Sequence, residues 1–139
     1  MMFLSEIAAG NSFRLYAIGS EGRSPCHDFL TSIQTDHPDE WAKLMARLQR
    51  AADHGPPLSN PEQCRKLKGS SPEDTVYEFK THQLRLFWFY DQDRMILCSN
   101  GLLKGTRKEQ DRAIAIARRW KADYLTAKSR GRIQFPRSP

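Results

Sequence analysis

The amino-acid sequence predicts an α+β fold: two N-terminal helices packed on a twisted, mainly antiparallel sheet, with a C-terminal helix. Three observations carry this expectation. A helical period runs through residues 41–52, short strand-like runs joined by polar turns fill residues 64–99, and a second helical period follows a capping signal at Thr106. Helices followed by turn-linked strands point to an antiparallel sheet with helices packed on it, not to alternating strand–helix units.

The elements follow in the order β-α-α-β-β-β-β-α. FRLYAI (13–18) alternates as a first strand should. Ser24-Pro25 reads as an N-cap with proline at the first helical position, opening a helix through Phe29, Leu30 and Ile33. Asp36 precedes a second helix whose apolar residues Trp41, Leu44, Met45, Leu48 and Ala52 recur at helical spacing. Gly55 and the Pro56-Pro57 pair end it, and PPLSNPEQ (56–63) is a connecting loop. Strands are expected at Cys64–Leu67, Thr75–Lys80, Leu84–Tyr90 and Met95–Ser99, with THQ and DQDR supplying turns. Thr106 and Glu109 have capping-box spacing, and the helix behind them lines up Ala113, Ile116, Ala117, Trp120 and Tyr124 as its core stripe. Residues 1–125 are read as one domain and residues 126–139, with Lys128, Arg130, Arg132 and Arg137, as a flexible basic tail.

With 39% hydrophobic and 27% charged residues, the 139-residue chain has the composition of a soluble globular domain. No apolar run reaches the roughly 20 residues that span a bilayer, so no membrane partner is expected. The start, MMFLSEIAAGNS, lacks a basic region and contains Glu6, unlike a secretory signal. Cys26, Cys64 and Cys98 are odd in number and scattered, which fits reduced thiols and a cytoplasmic location. His27, His37, His54 and His82 have no metal-ligand spacing, and neither a metal nor a cofactor is expected. Charge is uneven: residues 1–63 hold 5 Lys/Arg against 8 Asp/Glu, a net of −3, and residues 64–139 hold 17 against 8, a net of +9. A basic C-terminal half points to nucleic acid or an acidic protein as partner.

The run YEFKTHQLR (77–85) places Lys80 opposite Arg85 if its two strands pair. That register also joins Phe79 to Leu86 and Tyr77 to Trp88 on one face, whereas a slip of one residue would scatter them. Like charges directly across a strand pair are unfavourable, so the juxtaposition asks for a reason. Extended through DQDR, the pattern sets Tyr90 opposite Met95, Phe87 opposite Cys98 and Arg85 opposite Asn100, with Lys104 four residues on. One sheet end would then gather Lys80, Arg85, Asn100 and Lys104, joined by Lys66 and Lys68. Convergent, rigidly held cations suit a phosphate group, above all one gaining charge in a transition state. The competing reading is a solvated strand end with the cations paired to Glu78 or Asp74.

KLKG (66–69), VYEFK (76–80), LRLFWF (84–89) and ILCSNGLLKGTRK (96–108), followed by a basic helix, resemble the RelE/ParE superfamily of bacterial toxins. The likeness is greatest to its HigB-like, phage-derived branch and runs over about residues 12–125. It implies a RelE-like fold and the toxin of a type II toxin–antitoxin system. It further implies a metal-independent, ribosome-associated mRNA endoribonuclease in which the RNA 2′-OH attacks the adjacent phosphate. The partners implied are a cognate antitoxin, a small helix-turn-helix protein, together with the ribosome and mRNA. Matched to the family pattern, Lys80, Arg85 and Lys104 take the catalytic positions. Lys66 and Lys68 match a region that implies contacts to RNA backbone, and Arg107 and Lys108, at the start of the last helix, are further phosphate contacts. Asn100, from the strand register, and His82, at the hairpin tip, complete the RNA-binding candidates. The chain departs from the pattern at Gly105, where a second lysine is usual, and at Leu84, where an aromatic is usual. No side chain stands out as general base, although His82 has a suitable ordinary pKa. Two alternatives follow from the same resemblance: a ParE-like, non-catalytic inhibitor of a protein such as DNA gyrase, and a non-toxic phage-derived regulatory protein.

Overall fold

The computed structural model describes residues 1–135 and is α+β, with three helices and a mixed seven-stranded sheet. Two strands, β1 (Met2–Ala9) and β2 (Arg14–Ser20), come before helices α1 (Pro25–Asp36) and α2 (Pro38–His54). Then follow β3 (Cys64–Leu67), a 3-10 turn at Pro72–Asp74, β4 (Val76–Lys80), β5 (Leu84–Asp91), β6 (Met95–Leu103), α3 (Arg107–Ser129) and β7 (Ile133–Gln134). The helix pair therefore lies after a β-hairpin, not at the N-terminus as expected. Neighbouring strands run β3-β4-β5-β6-β2-β1-β7. Four of these pairings are antiparallel, while β2–β6 and β1–β7 are parallel.

β1 escaped the sequence reading because its alternation breaks. A bulge between Glu6 and Ala8 shifts the register. Met2 and Leu4 therefore pack on one face of the sheet with Tyr124, whereas Ala8 packs on the other with Leu44 and Leu48. A bulge moves every later side chain to the opposite face, so no period-2 pattern spans the strand. β7 was missed for its length. The segment read as a tail from residue 126 instead continues α3 to Ser129, turns, and pairs Ile133 and Gln134 with Met2 and Phe3. Arg137 lies outside the described residues.

Helices cover both faces. α1 and α2 bury Leu30, Ile33, Leu44, Leu48 and Ala52 against Leu15, Phe79, Leu86, Trp88 and Ile96. Trp88 stacks between Tyr77, 4.5 Å away, and Phe79, 4.9 Å away. α1 approaches β6 so closely that a Cβ at Gly101 would sit 2.1 Å from the Phe29 ring. α3 covers the other face with Ala113, Ala117 and Tyr124 against Phe87, Phe89 and Leu97. β5 is thus buried on both sides, as its unbroken apolar run predicts.

The capping signals hold in part. Ser24 accepts from the His27 N–H at 3.3 Å, and Thr106 and Glu109 form a reciprocal capping box. α2 starts with Pro38 behind His37, not behind Asp36, and has no side-chain cap bond. On α3 the core stripe uses Ile114, while Ile116, expected inside, is 44% exposed. Among the described residues no helix is long and apolar enough to cross a membrane.

Candidate functional site

The β4–β5 hairpin has the expected register: Tyr77 faces Trp88, Phe79 faces Leu86, and Lys80 faces Arg85. The β5–β6 register does not. Asp91 pairs with Met95 and Tyr90 with Ile96, one residue beyond expectation, because Asp93 and Arg94 both take left-handed conformations in a tight turn. A bulge at Ser99 then adds a second shift, so Phe87 faces Asn100 and Arg85 faces Leu102. The bulge turns Asn100 onto α3, where its Nδ2 donates to the Ala113 carbonyl at 3.1 Å and its Oδ1 accepts from Ser99 at 2.7 Å. Asn100 is 6% exposed and anchors the helix. The geometry does not bring it to Arg85.

What permits two cations to face each other is Glu78. It alternates onto the same face as Lys80, faces Phe87 across the ladder, and is 1% exposed. Arg65 on β3 pairs with it at 3.0 Å, in a geometry too skewed to give Glu78 Oε1 a hydrogen bond. Arg85 is 7% exposed and donates from Nη1 to the carbonyls of Thr81, at 2.7 Å, and Leu84, at 2.9 Å. Its charge is therefore locked at the hairpin turn. Lys80 is half-buried and its Nζ donates to the Pro61 carbonyl at 3.2 Å. Burial first, and then the charges of Arg85, Arg65 and Lys104, hold the Lys80 ammonium below its ordinary pKa, with Glu78 opposing them. Burial likewise lowers the Arg85 value, Glu78 opposing and Arg65 assisting, and a guanidinium stays protonated all the same. Lys104 is exposed beside the hairpin, its backbone N–H donating to the Gln83 carbonyl at 2.6 Å.

Arg65, Lys80 and Arg85 thus lie about one buried carboxylate, with Lys104 acting on Lys80 from beside them, an excess of cations that a phosphate can balance. Arg65 was missed from the sequence, and Glu78, read there only as a partner at a solvated strand end, is buried among these cations. The signal available was the i, i+2 spacing of Glu78 and Lys80 in a strand.

The remaining candidates lie around this centre. His82 is exposed at the hairpin tip. That tip is fastened to α2 through Glu40, whose carboxylate accepts from the Thr81 hydroxyl and, at 3.4 Å, from the Gln83 N–H. The Thr81 bond holds the Glu40 carboxyl below its usual value against burial, helped by Gln83, Lys43 and His82. Lys66 and Lys68 are exposed and, with Arg65, Leu67, Asp111, Ile114 and Arg118, line a groove of about 440 Å³. Arg118 braces that groove, donating to the carbonyls of Asp74 at 2.9 Å and Lys68 at 3.1 Å. Arg107 and Lys108 are exposed in the first turn of α3, where the Glu109 carboxylate of the capping box already supplies an anion. Gly105 belongs to the same device: a Cβ there would meet Glu109 Oε2 at 2.8 Å, so a lysine would have to displace the box. Among the described residues no group of His, Cys, Asp and Glu is arranged to hold a metal ion.

A search of the curated proteins gave no match. The family model for "Phage derived protein Gp49-like (DUF891)" matches residues 32–122, from the end of α1 into α3, and includes every one of the candidate cations. That match spans well over half of the chain, and the protein belongs to the Gp49-like family of phage-derived proteins.

Proposed function

We propose that this protein is the toxin of a type II toxin–antitoxin system of RelE/ParE type, acting as a metal-independent, ribosome-associated mRNA endoribonuclease. The Gp49-like family is associated with toxin–antitoxin, HigB-like systems, which supports an antitoxin partner. The observation that carries the enzymatic reading is the gathering of Arg65, Lys80 and Arg85 about buried Glu78 at one hairpin end, with Lys104 beside Lys80.

In the proposed reaction the RNA 2′-oxygen forms a bond to the adjacent phosphorus as the bond from phosphorus to the 5′-oxygen breaks. The products are a 2′,3′-cyclic phosphate and a free 5′-hydroxyl. The phosphorane gains negative charge, and preorganised cations stabilise that charge more than the ground state. Arg85, braced on two carbonyls, supplies a fixed field. Half-buried Lys80 and exposed Lys104 contact the phosphate oxygens. Lys80 is also the proton carrier, its ammonium held below the ordinary lysine value by burial and then by the neighbouring cations. It accepts the 2′-OH proton and returns it to the leaving 5′-oxygen.

The test is induced expression with the ends of cellular mRNA mapped by primer extension. Wild type is expected to arrest growth and to create new 5′ ends inside reading frames. Lys80→Ala and Arg85→Ala lose at least about 100-fold in cleavage, the scale of removing one transition-state donor. One observation favours a second reading, a protein-binding inhibitor: Arg85 is almost wholly buried and commits Nη1 to the backbone. Growth arrest with DNA damage and without new mRNA ends would establish that reading, and no arrest at all would favour a non-toxic regulatory protein.

A further inference from the structure

A second cationic recess lies on the α2 side of the same sheet end. Lys43, Arg47 and Arg50 stand along one face of α2, and with Ser59, Asn60 and Gln63 they line a groove of about 620 Å³ between α2 and the 56–63 segment. No carboxylate lines it. Glu62, on the same segment, is not among the lining residues, and Glu40, 3.8 Å from Lys43, is engaged by Thr81 and Gln83. Asn60 Oδ1 accepts from the Glu62 N–H at 3.2 Å, which leaves the Asn60 amide as a donor. Arg47 has a buried Nε with no hydrogen-bond partner among the described residues, while its Nη1 donates to the Lys80 carbonyl at 3.0 Å. One side chain therefore ties this groove to the strand that carries Lys80.

The 56–63 segment separates the two recesses, touching Lys80 at its backbone and at its side chain. The Gln63 carbonyl accepts from the Lys80 N–H at 2.8 Å and the Pro61 carbonyl from its Nζ. Two recesses with surplus positive charge, one sharing the single carboxylate of Glu78 and one lined by none, flank one short segment and match a ligand with repeated negative charges along a flexible backbone. Three guanidinium or ammonium groups with neutral donors between them suit phosphodiester oxygens.

We propose that the groove between α2 and residues 56–63 is an anion site that holds a phosphodiester of the same RNA strand, flanking the linkage gripped at Lys80. The site rests on the endoribonuclease reading for its ligand, and its role is to fix the register of the strand on the protein. Binding here is electrostatic and independent of base identity.

The test is fluorescence anisotropy with a labelled 2′-O-methyl RNA dodecamer, which binds but has no 2′-OH to react, titrated at several salt concentrations. The variants are Lys43→Gln/Arg50→Gln, chosen because Arg47 also braces β4, and Lys80→Gln. The groove variant is expected to lose about tenfold in affinity and to lower the salt slope by about 1 to 2. A dinucleotide, too short to span both recesses, is expected to bind wild type and groove variant alike. Unchanged dodecamer binding by the groove variant, with loss in Lys80→Gln, overturns the groove site and leaves the catalytic reading standing. Loss in the groove variant with none in Lys80→Gln keeps an anion site in the groove and removes the reading at Lys80. Displacement of the RNA by an acidic peptide that binds more tightly through the same residues overturns the RNA assignment in favour of a protein ligand.

Discussion

The two ends of β5 each hold charge largely withdrawn from solvent, and they are built on opposite plans. At the far end Asp91 is answered in full. Lys128 Nζ lies 2.6 Å from its Oδ1, the Gln92 N–H donates at 2.7 Å, and the Tyr124 hydroxyl donates to Oδ2. Burial works to raise the Asp91 pKa, yet the bonds from Lys128, Tyr124 and Gln92 outweigh it and the carboxyl lies below its ordinary value. At the near end Arg85, Lys80 and Arg65 share one carboxylate, Glu78, and the charge of Lys104 adds to theirs at Lys80. Folding alone rewards the first plan, because a buried charge left uncompensated is costly. The near end instead keeps surplus cations and fixes them with backbone carbonyls, the surplus that the proposed anionic ligand would balance.

Glu78→Gln separates the plans most widely. The change keeps the shape and removes the carboxylate shared by Arg65, Lys80 and Arg85. Breaking a buried pair costs several kcal/mol, but Arg65 is about half exposed and regains water, so a loss of about 2 kcal/mol is expected. Urea unfolding measures it. The same variant should bind a non-reactive RNA more tightly, since net positive charge at the site rises. Stability and affinity moving in opposite directions is the signature of a functional end. Weaker RNA binding in a folded Glu78→Gln protein would mean that the carboxylate positions cations whose placement matters more than their number.

Asp91→Asn tests the other end and should move stability alone. One charged bond and one hydroxyl bond weaken, for about 1–2 kcal/mol, and Tyr124→Phe should cost about 1 kcal/mol. RNA affinity should be unchanged in both. The sign with pH follows from the lowered carboxyl: Asp91 contributes its stability above the unfolded value, near 3.9, and loses it as pH falls through the lower folded value. In Asp91→Asn the acid limb of the unfolding curve should flatten. An equal acid limb in both proteins would show that the Lys128 and Tyr124 contacts add nothing.

The same contrast explains what was legible in the sequence. The β4–β5 register could be read because Tyr77, Phe79, Leu86 and Trp88 fall on one face only in that pairing. The next register could not, because the Asp93-Arg94 turn and the Ser99 bulge depend on tertiary contacts: Asp91 on α3, and Asn100 on the α3 backbone. Lys80 and Arg85 were visible as a like-charged pair. Their reconciliation was not, since Arg65 lies 13 positions before Glu78 and on another strand. The α2 groove was hidden by averaging: Lys43, Arg47 and Arg50 are three of only five cations in an acidic half. β1 and β7 were lost to a bulge and to brevity, and the parallel β2–β6 contact joins segments far apart in sequence.

The smallest expected effect lies in the pH dependence of cleavage. Lys80 has a lowered folded pKa, from burial first and then from Arg85, Arg65 and Lys104. The unfolded chain therefore binds more protons between that value and about 10.4, and stability rises with pH across the window. Cleavage should rise with pH as well, reaching its plateau below the ordinary lysine value, if the neutral amine takes the 2′-OH proton. Lys80→Arg keeps the charge but cannot deprotonate, so its residual activity should show no such limb. Glu78→Gln removes the one group that raises the Lys80 value and should shift the limb to lower pH by a fraction of a unit. Single-turnover cleavage from pH 6 to 10 measures the three profiles. A limb that persists in Lys80→Arg would take the proton-transfer role from Lys80 and leave it only as a charge.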